Sequence, residues 1–257
     1  MTGNVPAATR ALAVLSALAA APSPMPASSL ARQLTLPRSS TYHLLSAMAD
    51  AGFVVHYPEE ERWGLGVAAF EIGAAYLRHE PLERLGRPIL HRLAHDISDR
   101  AAAVAHLGVL HGRETVYLLT EATRAPVTVV AEVGVRLPAS LTATGRAMLA
   151  ELPAAQVRAL FPGRAAFVDR TGHGPTSLTA LVRLLATERA QGWSEEDGFI
   201  VDGYASVAVA AHDHSGRPIA SIGLTFRSDR VDRDTRSFLA AQARRAAREL
   251  SRRMGAP

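Results

Sequence analysis

The chain has 257 residues, of which 48% are hydrophobic and 20% charged, an ordinary globular balance with room for two compact domains. This composition excludes collagen-like, coiled-coil-only and wholly disordered proteins. The absence of cysteine excludes disulfide bonds, cysteine-ligated zinc, iron–sulfur clusters and a thiol nucleophile. All 28 basic residues are arginine, a usage typical of a GC-rich genome, so the net charge of +4 does not by itself indicate a nucleic-acid partner.

An apolar run, Ala11–Ala21, follows Arg10 and superficially matches a signal peptide. Most of the run is alanine, however, and Leu12, Leu15 and Leu18 recur at helical spacing, which favours a short amphipathic helix. No other stretch reaches the roughly 18–20 apolar residues that a membrane span requires. We therefore expect a cytoplasmic protein that has no membrane partner.

The first domain is predicted to be a winged helix-turn-helix, because three short helices precede a β-hairpin. Prolines between residues 22 and 26 separate the first two helices, and Ser28 or Ser29 is expected to cap the second. Gly52 is a plausible stop for the third helix. The predicted elements are helices over 9–20, from 27–29 onward and over 37–52, then strands over 53–57 and 62–65.

The remaining chain is predicted to form a connector and an α+β domain, with a sheet packed against helices. Helices over 67–79 and 82–99 are interrupted at Pro81. Strands are predicted over 104–110, 115–121, 127–133, 205–211 and 219–226, and helices over 142–151, 153–161, 177–191 and 231–254. We divide the chain into a winged helix-turn-helix domain (1–66), a linker helix (67–80) and a second domain (81–257).

The third predicted helix begins with the side chains that a DNA recognition helix needs. Residues 38–43 provide a guanidinium, three hydroxyls, a phenol and an imidazole, which can contact base edges and phosphates. Residues 1–80 hold five arginines against six acidic residues, so charge does not favour this interpretation, and a helix-turn-helix with protein contacts only is the alternative. The candidate DNA-contacting residues are Arg32, Arg38, Ser39, Ser40, Thr41, Tyr42, His43 and, in the wing, Arg62.

An ordered set of motifs covering nearly the whole chain resembles the IclR family of bacterial transcriptional regulators. The set comprises residues 30–34, 36–45, 52–54, 62–66, Leu137-Pro138, 142–147, Gly192-Trp193 and 203–208. The resemblance implies a winged helix that binds operator DNA, a linker helix that mediates dimers, and a C-terminal GAF-like domain that binds a small effector. It also implies a homodimer or a dimer of dimers. Tyr42 and His43 stand where the family commonly has histidine and arginine, so the operator sequence cannot be inferred by analogy.

The resemblance also implies an effector site in the second domain. Ser140 replaces a common family histidine, Ser206 a common cysteine, and Gly223 and Thr225 common serines, while Glu196 matches an acidic ligand residue. A helix that begins near Thr142 would offer free N–H groups to an anionic or carbonyl group, whereas Glu196 favours a ligand with hydroxyl or amine groups. Alternatively, Ser206 and Thr225 only satisfy buried backbone. The expected effector-contacting residues are Ser140, Leu141, Ala143, Thr144, Glu196, Ser206, Gly223 and Thr225.

Other motifs do not indicate chemistry. His91 and His95 are spaced for zinc, but Arg92 stands where a metalloprotease helix needs glutamate, and a solvated helix face is the simpler interpretation. The sequence has no Walker A loop, no G-x-S-x-G elbow and no evident nucleophile–base pair, so we expect no enzyme, cofactor or metal. The rival functions are a small-molecule enzyme or a DNA-independent ligand sensor built on the second domain.

Overall fold

The computed structural model describes residues 5–79, 81–125 and 132–256. The chain divides into two compact units, residues 1–80 and 81–257. Each unit has a hydrophobic core of its own.

The first unit is a winged helix-turn-helix followed by a helix. Its elements are α1 (Pro6–Ala20), β1 (Met25–Pro26), α2 (Ala27–Gln33), α3 (Arg38–Asp50), β2 (Val54–Tyr57), β3 (Arg62–Leu65) and α4 (Val67–His79). The strands form an antiparallel sheet in the order β1-β3-β2. Thr35, at φ 53°, makes the tight turn before α3, and Gly52, at φ 74°, closes that helix as predicted.

The core of this unit fixes which face of α3 is exposed. Val14 and Leu18 of α1, Leu30 of α2 and Leu45 of α3 are buried together with Trp63 of β3. Because residues three or four apart share a helix face, burying Thr41, Leu45 and Met48 turns the opposite face of α3 to solvent.

The second unit is α+β, as predicted. Its elements are α5 (Pro81–Ile97), β4 (Ala103–His111), β5 (Glu114–Ala122), β6 (Arg136–Pro138), α6 (Ala143–Glu151), α7 (Ala154–Leu160), α8 (Leu178–Gln191), β7 (Ser194–Asp197), β8 (Tyr204–His212), β9 (Pro218–Arg227) and α9 (Arg233–Arg253). The six strands pair antiparallel in the order β6-β5-β4-β9-β8-β7.

Helices cover both faces of this sheet. One face packs against α5 and α9, through residues such as Leu107, Leu224 and Phe226 of the strands and Leu239 and Leu250 of α9. Leu239, Ala243, Ala246 and Leu250 of α9 recur at helical spacing and are all buried in this core. The other face packs against α6, where Ala143 and Ala147 meet Ala208 and Ala210 of β8. The candidate site of this unit lies on the α6 side.

Two details differ from the sequence predictions. The helix α2 begins directly after Pro26 and has no side-chain cap, so the expected serine cap is wrong. The short strands β1, β6 and β7 were not predicted; they have two to four residues, too few to show an alternating pattern. Most of the strand predicted over 127–133 lies outside the described residues.

Candidate functional site

The exposed face of α3 carries the polar residues that the sequence analysis selected. Arg38, Ser39 and His43 are exposed, and Tyr42 is 55% exposed. Ser46 continues this face one turn later and was not selected, although its position four residues after Tyr42 places it on the same side. We define the recognition face of α3 as Arg38, Ser39, Tyr42, His43 and Ser46.

Two predicted members of this set are not free at the surface. The expectation that Thr41 is exposed is wrong: its side chain is fully buried, and its Oγ1 donates to the Pro37 carbonyl at 3.0 Å. The physical reason is helical periodicity, since Thr41 lies four residues before Leu45 on the core face. Ser40 is half-buried.

The flanking arginines differ in availability. Arg32, in the last turn of α2, is exposed. Arg62 is half-buried, and its Nη1 donates to the Pro24 carbonyl at 2.9 Å. Pairing of β1 with β3 brings this carbonyl within reach and engages part of the guanidinium, and contact of Arg62 with the DNA backbone stays a prediction. The exposed wing tip carries Glu59, Glu60 and Glu61.

The second unit has a cavity of about 50 Å³ between the α6 side of the sheet and the start of α6. Six of the eight predicted effector residues line it: Ala143 and Thr144 on α6, Glu196 on β7, Ser206 on β8, and Gly223 and Thr225 on β9. The complete lining is His106, Tyr117, Leu137, Thr142, Ala143, Thr144, Glu196, Ile200, Val201, Tyr204, Ser206, Gly223 and Thr225.

A chain of hydrogen bonds crosses four neighbouring strands at this cavity. The Ser206 hydroxyl donates to Glu196 Oε1 at 2.6 Å, and the Ser206 and Thr225 hydroxyl oxygens are 2.9 Å apart. Thr225 Oγ1 is in turn 3.0 Å from His106 Nε2. The strand register explains the chain, because Glu196 pairs with Ser206 and Ser206 with Thr225. Ser206 and Thr225 therefore lie on neighbouring strands and both line the cavity.

Burial sets the protonation of the groups around this chain. It lowers the pKa of His106 from 6.5 to about 3, so the imidazole is neutral at pH 7. Burial also raises the pKa of Tyr117 to about 12, so the phenol is neutral too. The pKa of Glu196 is raised chiefly by burial, against hydrogen bonds from Ser206 and from the Phe199 N–H.

The start of α6 supplies backbone donors to the same cavity. Thr142 Oγ1 caps the helix by accepting from the Gly145 N–H at 3.0 Å. In the described part of the chain the N–H groups of Ala143 and Thr144 have no partner, as expected for the first residues of a helix. A side chain at Gly223 would come within 2.5 Å of Thr144, so glycine lets α6 approach β9 closely.

The loop before α6 is held by a buried arginine. Arg146 Nε donates to Glu188 at 2.9 Å, Nη1 donates to the Ser140 and Leu141 carbonyls at 3.2 and 3.0 Å, and Nη2 donates to the Glu195 carbonyl. The expectation that Ser140 and Leu141 line the cavity is wrong. Both are buried, and their carbonyls serve Arg146.

The most informative residue missed by sequence reasoning is His106. Alternation along β4 places residues 104, 106 and 108 on one face of the sheet, which could have indicated that His106 faces the cavity. Residues 104 and 108 are not polar, so the sequence shows no polar pattern on that face. Leu137, Thr142, Tyr117 and the loop residues Ile200 and Val201 depend on tertiary packing, which local spacing does not show.

The histidine pair on α5 lies on a solvated helix face. His91 and His95 are exposed, and they contact Glu121 and Asp96, respectively. Over residues 5–79, 81–125 and 132–256 no group of three histidine or acidic side chains could hold a metal ion. In the same ranges no helix is both long and apolar enough to cross a membrane.

Comparison with known families assigns both units. The model of the IclR helix-turn-helix domain matches residues 7–58, and that of the bacterial transcriptional regulator IclR C-terminal domain matches residues 74–252. The chain belongs to the IclR family. It is a transcriptional regulator with a helix-turn-helix DNA-binding domain and an effector-binding C-terminal domain.

Individual IclR-family members align along their whole length. The glycerol operon regulatory protein of Streptomyces coelicolor is 30% identical over 100% of this chain and 99% of its own. The acetate operon repressor of Salmonella typhimurium is 28% identical over 98% of this chain and 90% of its own. Among solved structures, the Agrobacterium tumefaciens repressor BlcR is 27% identical with a TM-score of 0.61, covering 98% of this chain and 97% of its own.

A further IclR homologue, from Microbacterium hydrocarbonoxydans, was solved in complex with 4-hydroxybenzoate. It has a TM-score of 0.80 at 21% identity and covers 96% of this chain and 98% of its own, which shows a shared fold.

Proposed function

We propose that this regulator represses transcription by binding a specific operator through the recognition face of α3, and that a small molecule in the cavity of the second unit controls the binding. The observation that carries the proposal is the presence of two sites, one on an exposed polar helix face of the first unit and one in a cavity of the second unit. A small-molecule enzyme would not need the first site, and a ligand sensor that does not bind DNA would not need it either.

The recognition face has the chemistry for base and phosphate contacts. The Arg38 guanidinium can donate two hydrogen bonds to a guanine edge or to a phosphate, and Ser39 at the start of α3 can contact a phosphate. Tyr42 and His43 lie one turn later and can reach bases or the sugar–phosphate backbone. Arg32 is exposed and can add a phosphate contact. Thr41 serves the domain's own structure and is left out of this set. Arg62 donates one nitrogen to the Pro24 carbonyl and can offer the others to the DNA backbone.

The wing is expected to add little to DNA affinity. Glu59, Glu60 and Glu61 at its tip would be repelled by phosphates, so the tip is expected to point away from the duplex. Operator binding by this protein then depends on α3 more than on the wing.

We assign effector binding to the cavity, with direct contacts from Ala143, Thr144, Glu196, Ser206 and Thr225. Enclosed apolar walls with a few convergent polar groups are typical of small-molecule sites. We assign no catalytic role to these residues. A relative is named for the glycerol operon and a homologue binds 4-hydroxybenzoate, so hydroxylated molecules are the first effectors to test.

We further propose that the protein acts on DNA as a homodimer in the cytoplasm. One winged helix reads a short half-site, and a two-fold dimer matches a palindromic operator. The first unit exposes apolar side chains that a monomer would leave in water: Leu12 is 65% exposed, Val67 67%, Phe70 73% and Ile72 58%. Helical spacing along the sequence groups Ala74 and Leu77 with Val67 and Phe70, and the side chains of Ala74 and Leu77 lie outside those described.

The test is a mobility shift with the duplex upstream of the protein's own gene, against a shuffled duplex of equal length and composition at the same salt concentration. We expect the upstream duplex to bind at least tenfold more tightly. Equal affinity for both duplexes would overturn sequence-specific regulation.

A further inference from the structure

The hydrogen-bond chain Glu196–Ser206–Thr225–His106 restricts where the protons can be. In the ionised form of Glu196, which the hydrogen bonds from Ser206 and the Phe199 N–H and the charge of Arg146 favour against burial, the carboxylate only accepts hydrogen bonds. Ser206 then donates its single hydroxyl proton to Glu196, at 2.6 Å. The Ser206 oxygen can then only accept at its other contact, the 2.9 Å contact with Thr225. Thr225 therefore donates to Ser206 and has no proton left for His106.

This ordering fixes the tautomer of His106. With the Thr225 proton already used, the 3.0 Å contact between Thr225 Oγ1 and His106 Nε2 is a hydrogen bond only if Nε2 carries the proton. Burial keeps the ring neutral by lowering the pKa of His106 to about 3. A neutral ring with the proton on Nε2 has a bare lone pair on Nδ1.

That lone pair is the unexplained feature of the cavity. Nδ1 of His106 is buried, and in the described part of the chain it has no hydrogen-bond partner. The imidazole lines the cavity and packs against the Tyr117 ring at a centroid distance of 4.9 Å. Because a buried acceptor without a partner costs free energy, a bound molecule that donates a hydrogen bond there would recover it.

The charges of the lining favour an uncharged donor. Among the described residues the lining has no arginine, and it includes the Glu196 carboxylate. The nearby guanidinium of Arg146 is already hydrogen-bonded to Glu188 and to three carbonyls. A carboxylate ligand would face Glu196 and a bare imidazole nitrogen without a cation to balance it. An ammonium group would lose its hydration in a mostly apolar cavity, where each Glu196 oxygen already accepts one hydrogen bond, so an uncharged hydroxyl enters at a lower desolvation cost.

The geometry points to an effector that is an uncharged hydroxyl compound, whose O–H donates to the bare Nδ1 of His106. Glu196 holds His106 in this acceptor state through the hydrogen bonds of Ser206 and Thr225. The inference rests on the proposed effector role of the cavity. The free N–H groups of Ala143 and Thr144 can bind an oxygen of the same molecule. The cavity of about 50 Å³ has room for only a few non-hydrogen atoms as it stands, since one water needs about 10–15 Å³ by the same measure.

The first experiment reads the tautomer directly in the free, full-length protein. Ring nitrogens are observed by NMR after ¹⁵N-histidine labelling, and the His106 signals are assigned by their loss in His106→Gln. We expect Nε2 to be protonated and Nδ1 to have the shift of a bare nitrogen. Protonated Nδ1 in the wild-type protein would overturn the inference.

Glu196→Gln tests whether Glu196 sets this state. The Phe199 N–H requires an oxygen on one side of residue 196, so the new amide NH₂ would face Ser206 and donate to it. Ser206 would then donate to Thr225, and Thr225 to His106 Nε2, which moves the ring proton to Nδ1. The matched control is Glu195→Gln, one residue earlier on β7, whose carboxylate pairs with Arg236 at 2.8 Å.

We expect the His106 tautomer to switch in Glu196→Gln and to stay unchanged in Glu195→Gln. No switch in a folded Glu196→Gln, or a switch in both variants, would overturn the coupling. If Glu196→Gln does not fold, the His106 tautomer measured in the wild-type protein still tests the inference.

Ligand class is tested with matched pairs: ethylene glycol and glycolate, glycerol and glycerate, and 4-hydroxybenzyl alcohol and 4-hydroxybenzoate. We expect at least one alcohol to shift the His106 Nδ1 signal and its paired carboxylate to bind at least tenfold more weakly. Preference for the carboxylates, or no alcohol binding, would overturn the ligand class. Because these readouts need no DNA, their failure is distinct from failure to bind an operator.

Discussion

The buried imidazole of His106 should make the second unit lose stability as the pH falls. The pKa of His106 is about 3 in the folded chain and 6.5 when unconstrained. A histidine whose pKa is lower when folded stabilises the fold above pH 6.5, and this stability is lost progressively as the pH falls from 6.5 towards 3. The unfolded state takes up a proton in that window and the folded state does not.

The magnitude follows from the size of the window. Between pH 7 and pH 5, about 1.5 pH units lie below 6.5, and each unit lowers the free energy of unfolding by about 1.4 kcal/mol. The expected decrease is therefore about 2 kcal/mol. The pKa of Glu196 is raised on folding, which acts in the opposite direction. Because wild type and a His106→Gln variant share Glu196, its contribution is removed when their pH dependences are compared.

The assay is denaturant unfolding at pH 7 and pH 5, followed through Trp193. Each unit has one tryptophan, so Trp63→Phe leaves only the signal of the second unit. The control is His111→Gln, an exposed histidine at the end of the same strand β4. All proteins compared carry Trp63→Phe. Between pH 7 and pH 5 we expect the free energy of unfolding to fall by about 2 kcal/mol more in Trp63→Phe alone than after adding His106→Gln. Adding His111→Gln should leave this fall unchanged. Equal pH dependence in all three proteins would refute the argument.

Three further predictions test the proposed function. Arg38→Ala should weaken operator binding by about 1–3 kcal/mol, the value of one base-edge contact, and the exposed control Arg217→Ala should leave it unchanged. If Arg38→Ala binds the operator as tightly as the wild-type protein, Arg38 is not at the interface. Ser206→Leu should fill the cavity and abolish the effector response without changing operator affinity, and calorimetry that shows unchanged effector binding would place the pocket elsewhere. Phe70→Glu should shift sedimentation at micromolar concentration towards the monomer, and an unchanged dimer would mean that this 73% exposed side chain is not at the interface.

The order and type of the main elements could be predicted because their signals are local. Leu45 and Met48 at helical spacing, the prolines after α1 and Gly52 after α3 each act within a few residues. Thr41 was wrongly predicted to be exposed, since its hydroxyl suggests a surface position while its spacing from Leu45 places it in the core. Helical periodicity is the stronger guide to burial at this position.

The cavity could be predicted only in part. Ser206 and Thr225 were selected through the resemblance to the family, and the pairing of β8 with β9 brings them together. His106 was missed because β4 pairs with β9 across a separation of more than a hundred residues, which spacing along the chain does not reveal. Ser140 and Leu141 were predicted in the lining because nothing in the sequence shows that Arg146 binds their carbonyls.

The central claim is that α3 binds a specific operator, and hydroxyl-radical footprinting on the duplex upstream of the protein's own gene tests it most directly. We predict a protected site with two half-sites related by two-fold symmetry, whose protection is lost in Arg38→Ala at the same protein concentration and kept in Arg217→Ala. Uniform cleavage of that duplex, or the same protection with Arg38→Ala as with the wild-type protein, would contradict the account.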